Sequence, residues 1–129
     1  MLVLFRHSNK KYAYDTVAGS LSAVGALEFR MLEALTPPMP PVCPTALRYE
    51  LAKYDSTDVE ENYAILYEKA ADGVIFSPEN GTLRLPEAEE ELQRKALLIA
   101  SERLTAPVTP TGSNTELIRE ILGARNLLT

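Results

Sequence analysis

The chain is poor in the side chains that most chemistry requires. Its 129 residues include one cysteine, Cys43, and one histidine, His7. A lone thiol excludes an internal disulfide and a cysteine-rich metal site, so Cys43 reads as a half-buried loop thiol. A lone imidazole excludes the His- and Cys-rich sets that hold a metal, and it leaves any nucleophile without an identifiable base. His7 therefore reads as an exposed or half-exposed residue at a strand end, and no catalytic residue, metal ligand or cofactor is expected. Gly73, Gly81, Gly112 and Gly123 stand apart from one another, so no glycine-rich loop is present to cradle a phosphate. The longest apolar runs, such as "ALLIA" at 96–100, fall far short of the roughly 20 residues that cross a membrane. Arg6 and His7 interrupt the N-terminal apolar stretch at once, unlike a secretion signal, and the expectation is a soluble, cytoplasmic protein with no membrane partner.

What is present is a balanced globular composition, 46% hydrophobic and 24% charged, enough for one core with appendages. The net charge of −5 is uneven. Residues 45–104 carry seven Lys/Arg against thirteen Asp/Glu, whereas residues 1–36 carry four against three. A phosphate backbone is repelled by such a middle section, so nucleic acid is not an expected partner.

"LVLFRH" at 2–7 is apolar and β-prone, and "SNKK" reverses the chain after it. "YAYD" at 12–15 sends Tyr12 and Tyr14 to one side and Ala13 and Asp15 to the other. Gly19 suits a turn of positive φ, and "SLSAV" at 20–24 alternates Leu21 and Ala23 against Ser20 and Ser22. Three strands in an antiparallel meander are expected. The period then changes: Leu27, Met31, Leu32 and Leu35 mark one face of a helix that stops near Thr36.

Five prolines in "PPMPPVCP" at 37–44 make a stiff connector, which is also conceivable as a proline-rich ligand. Pro44 suits the first position of a second helix with Leu47, Leu51 and Tyr54 inward. Thr57 and Glu60 form a capping box for a third, with Val59, Tyr63, Leu66, Tyr67 and Ala70 at helical spacing up to Gly73. "VIFSPENGTLRL" reads as a hairpin or extended segment turning at Asn80-Gly81. A helix to about Leu104 follows, with Pro86 in its first turn and four glutamates near its positive end. "TAPVTPTGS" reads as a loose connector, and a terminal helix capped by Asn114 carries Leu117, Ile118, Ile121 and Leu122. The fold class is α+β.

Two surfaces can bind a partner. A third strand that leaves the meander is a candidate sheet edge, and Tyr63 and Tyr67 lie one turn apart on the capped helix. An edge beside a helix accepts an extended peptide, with backbone bonds supplying affinity and the groove wall selecting side chains. The competing reading makes both tyrosines core and the edge covered. The terminal apolar stripe offers a third option, pairing with a second copy of the chain or sealing a groove.

"FRHSNKKYAYDTVAGSLSAV" and "YAILYEKAADGVIFSPE" resemble the PqqD-like RiPP recognition element, in the version found at the N-terminus of thioether-forming radical SAM/SPASM peptide maturases. The resemblance covers residues 1–80 and leaves 81–129 as a C-terminal helical extension. It implies a winged-helix-like fold of three strands followed by three helices, here with an extra C-terminal hairpin and helices. It implies binding of the leader of a ribosomally made precursor peptide as a strand added to Ser20, Leu21, Ser22, Ala23 and Val24, walled by Tyr63, Leu66, Tyr67 and Ala70. The partners implied are that peptide and a radical SAM maturase. The chain departs from the maturases after "RKALLIASERL", where no CxxxCxxC iron–sulfur motif follows. A winged-helix DNA regulator is the rival on the same fold, but its third helix, "DVEENYAILYEKAAD", holds five acids against one lysine.

Overall fold

A computed structural model describes residues 1–129. Strands β1 (Leu2–His7), β2 (Lys10–Asp15) and β3 (Ser20–Val24) form an antiparallel sheet in that order. The pairing sets Val3 against Tyr14, and Tyr14 against Leu21, so the tyrosine side of β2 continues across all three strands. Helices α1 (Ala26–Ala34), α2 (Thr45–Glu50) and α3 (Ser56–Ala71) follow. Then come β4 (Thr82–Arg84), α4 (Glu90–Arg103), β5 (Thr109–Thr111) and α5 (Thr115–Ala124). The protein is α+β.

The sheet is covered on both faces. On one side Ala13, with Leu2, Leu4 and Val24, meets Met31 and Leu32 of α1, Leu47 and Leu51 around α2, and Val59, Tyr63 and Leu66 of α3. On the other, Val3, Phe5 and Tyr14 pack against Leu92, Ala96 and Ala100 of α4, one residue per turn along the helix. Two of those three are alanines with no exposure, so α4 lies close on the aromatic side of the sheet. A third cluster joins Leu97 of α4 to Leu83, Leu85, Val108 and the α5 stripe Leu117, Ile118, Ile121 and Leu122. That stripe, a candidate for pairing between copies, is buried within its own chain.

Several local expectations are corrected. No hairpin forms at Asn80-Gly81. Residues 74–80 make no strand pairing, and β4 instead pairs in parallel with β5, inside the segment that reads as a loose connector. The two strands and α4 between them make a β-α-β crossover, as a parallel pair requires. Asn80 serves β4 differently, its Oδ1 accepting from the Thr82 amide at 3.1 Å. The cap of α3 is Asp55, which accepts from the Thr57 amide at 2.8 Å, while Glu60 is held by Arg48 at 2.6 Å. α4 begins at Glu90 and so excludes Pro86, and Asn114 precedes α5 in a left-handed conformation without a side-chain capping bond. Cys43 is buried rather than half-buried, and its surroundings push the thiol pKa up, burial being the main cause.

Candidate functional site

The turn into β3 is built around Asp15. Its carboxylate has no exposure, and it accepts from the amides of Val17 and Ala18 through Oδ1 and of Ser77 through Oδ2, at 2.9 to 3.0 Å. Three amide donors satisfy a buried charge and fix where β3 starts. Ser20 adds a bond from its hydroxyl to the Val74 carbonyl, tying the strand to the chain leaving α3.

β3 itself is open along its outer side. No backbone hydrogen bond outside the sheet involves Ser20 to Val24. Ala23 is exposed and the other four residues are half-buried. β1 is the opposite edge of the sheet, but there Val3 and Phe5 are buried, whereas no residue of β3 is. The side chains of β3 alternate as expected: Leu21 packs with the α4 side of the sheet and Val24 with the α1–α3 side.

The four helix positions assigned as a wall do not stand together. Tyr63 and Leu66 are turned into the core, with 2% and no exposure respectively, and the Tyr63 hydroxyl donates to the Pro40 carbonyl. Tyr67 and Ala70 line an apolar cavity of about 730 Å³ with Leu2, Pro37, Pro38 and Phe76, and no residue of β3 borders it. On the opposite flank of α3, Lys69 pairs at 3.7 Å with Glu28 in the first turn of α1. Ile65, 47% exposed, shares that flank one turn earlier. Helical periodicity selects the apolar face, but it does not say which of its residues the fold turns into the core and which to a cavity.

The cavity that does border β3 is a different one. Ser20 and Leu21 line a polar space of about 540 Å³ with Gly19, Arg84, Glu87 and Gly112. Arg84 is fixed in it through its backbone, the amide donating to the Thr16 carbonyl at 2.8 Å and the carbonyl accepting from the Tyr14 hydroxyl at 2.6 Å. Burial pushes the Tyr14 pKa up, with the Asp15 charge acting in the same direction, so this phenol is a donor and not an acid at neutral pH. Arg84 lies outside the nine positions expected from the sequence. The parallel β4–β5 pairing brings it to β3 across more than sixty residues of chain, with no local signal.

His7 is half-buried at the end of β1, and the fold brings Glu89 and Glu91 near it, with one potential ligand atom from each of the three within 4.8 Å of the others. Both glutamates sit at the start of α4, where the positive end of the helix suits them without an ion. No helix is long and apolar enough to cross a membrane. Compared with protein-family models, curated proteins and solved structures, the chain finds no match.

Proposed function

We propose that this protein is a non-catalytic peptide-binding module with a winged-helix-like core. It takes the leader of a ribosomally made precursor peptide as a strand on the outer edge of β3 and presents it to a modifying enzyme, a radical SAM maturase being the implied partner, in the cytoplasm. The observation that carries the reading is the β3 edge, without backbone partners and with Ala23 exposed. Unpaired strand donors and acceptors favour an added strand, and fixed side chains beside them favour selectivity. The four acids of α3, Asp58, Glu60, Glu61 and Glu68, against Lys69 alone, weigh against the DNA-regulator alternative.

The test is an amide NMR titration with overlapping synthetic peptides that cover a precursor encoded beside the gene. Shifts concentrated at residues 20–24 are expected. Shifts confined to residues 2–7, or to the cavity at Tyr67 and Ala70, would move the site elsewhere. Pro scanning adds a direct check, because alternate residues of an edge strand turn their amides outward. Of Ser22→Pro and Ala23→Pro, one is expected to abolish binding while leaving the sheet intact.

A protein-contact surface of another kind is the second reading. It is favoured by Tyr49 and Val42, which are 82% and 66% exposed. Molar mass in solution, with and without Tyr49→Ser, separates self-association from peptide binding.

A further inference from the structure

Arg84 stands at the start of the β3 edge as a cation with no acidic partner. Seven ion pairs join other groups of the chain, and Arg84 is in none of them. Glu87 borders the same cavity without pairing to it. The arginine is nonetheless held in place. Its aliphatic stem lies over the Cα of Gly19, where an added Cβ would come within 2.6 Å of the Arg84 Cγ and Cδ, and a Cβ on Gly112 would come within 3.4 Å of Cγ. Both glycines have positive φ, +72° and +98°, so two turns leave room for one arginine stem.

A long cation costs conformational entropy when it is ordered, and here backbone bonds and the packing of the stem as far as Cδ reduce that cost before any ligand arrives. An exposed guanidinium set beside unpaired strand groups offers a planar, charged fork to a carboxylate. From this geometry we infer that Arg84 is a specificity anchor for the added peptide, pairing with an aspartate or glutamate side chain carried by the guest residue opposite Leu21, on the side of the sheet that Leu21, Tyr14 and Arg84 share. The inference rests on strand addition at β3 and names one feature of the peptide that β3 takes.

The experiment is a selection from an mRNA-display library of random twelve-residue peptides, blocked at both ends, against the full-length protein and its Arg84→Gln and Arg84→Lys variants. Gln keeps part of the stem without the charge, and Lys keeps the charge without the fork. Circular dichroism and melting curves confirm that both variants are folded. The expected result is an acidic residue enriched at one fixed position in peptides selected by the wild type, weaker enrichment with Arg84→Lys, and none with Arg84→Gln. A selected peptide is expected to lose about fivefold in affinity when that residue becomes its amide, an effect that shrinks as salt is raised. Peptides that shift the amides of residues 20–24 but show no acidic position, or the same one with Arg84→Gln, would overturn the anchor and leave strand addition standing. A library yielding no peptide that shifts those amides would overturn both.

Discussion

Replacing Asp15 tests whether the open edge of β3 depends on the buried carboxylate behind it. Asp15→Ala deprives three half-buried amide donors, Val17, Ala18 and Ser77, of their only side-chain acceptor, a residue with no exposure. An orphaned buried donor costs about 1 kcal/mol or more, so the expected loss is about 3 kcal/mol. In a domain of this size that lowers the melting temperature by about 10 °C. Asp15→Asn keeps one oxygen for the turn amides but sets its NH₂ against the Ser77 amide, and an intermediate loss of about 2 kcal/mol is expected. Urea unfolding followed by circular dichroism gives both values, and NMR amide shifts at Ser77 show which bond is lost. A cost below about 1 kcal/mol for Asp15→Ala, or none for Asp15→Asn, would refute the reasoning.

Three further outcomes follow from neighbouring features. Gly19→Ala combines a strained positive φ with a clash against the Arg84 stem, and a loss of about 2 kcal/mol is expected in thermal unfolding, with displaced resonances at Arg84. Because burial raises the Tyr14 pKa, the folded chain keeps a proton that the unfolded chain releases near pH 10; this contribution is complete below that pH and is lost as pH rises above it. Tyr14→Phe is expected to flatten the alkaline fall in stability and to cost about 1 kcal/mol at neutral pH through the bond to Arg84, both readable from urea unfolding at pH 7 and above pH 10. Removing residues 105–129 strips the α5 stripe from Leu83 and Leu97, and the shortened chain is expected to bind a hydrophobic dye and to melt well below the full-length protein.

The three strands and α3 were legible because their order is local. Alternation from Tyr12 to Asp15 fixes both faces of β2, and Gly19 separates two such runs. Arg84 was not legible. Its position follows from a parallel pairing between two three-residue strands, one of which, Thr109–Thr111, contains a proline and looks like a connector. The flank of α3 was equally hidden. Tyr63, Leu66, Tyr67 and Ala70 share one apolar stripe, yet tertiary packing sends two into the core and two to a cavity beside Pro37 and Pro38. Leu92, Ala96 and Ala100 stand one turn apart on α4, but nothing in their spacing names the tyrosine side of the sheet as the surface they cover.

Covering the sheet on both faces has a consequence for any strand that joins it. Alternate side chains of the guest would be divided between two unlike neighbourhoods, the α4 and Arg84 side and the α1–α3 side. Two interleaved sets of positions would then be constrained separately, free to vary in one register while fixed in the other. A family of peptides read by this edge would carry its identity in every second residue, and a shift of one place would exchange the two sets and erase the match.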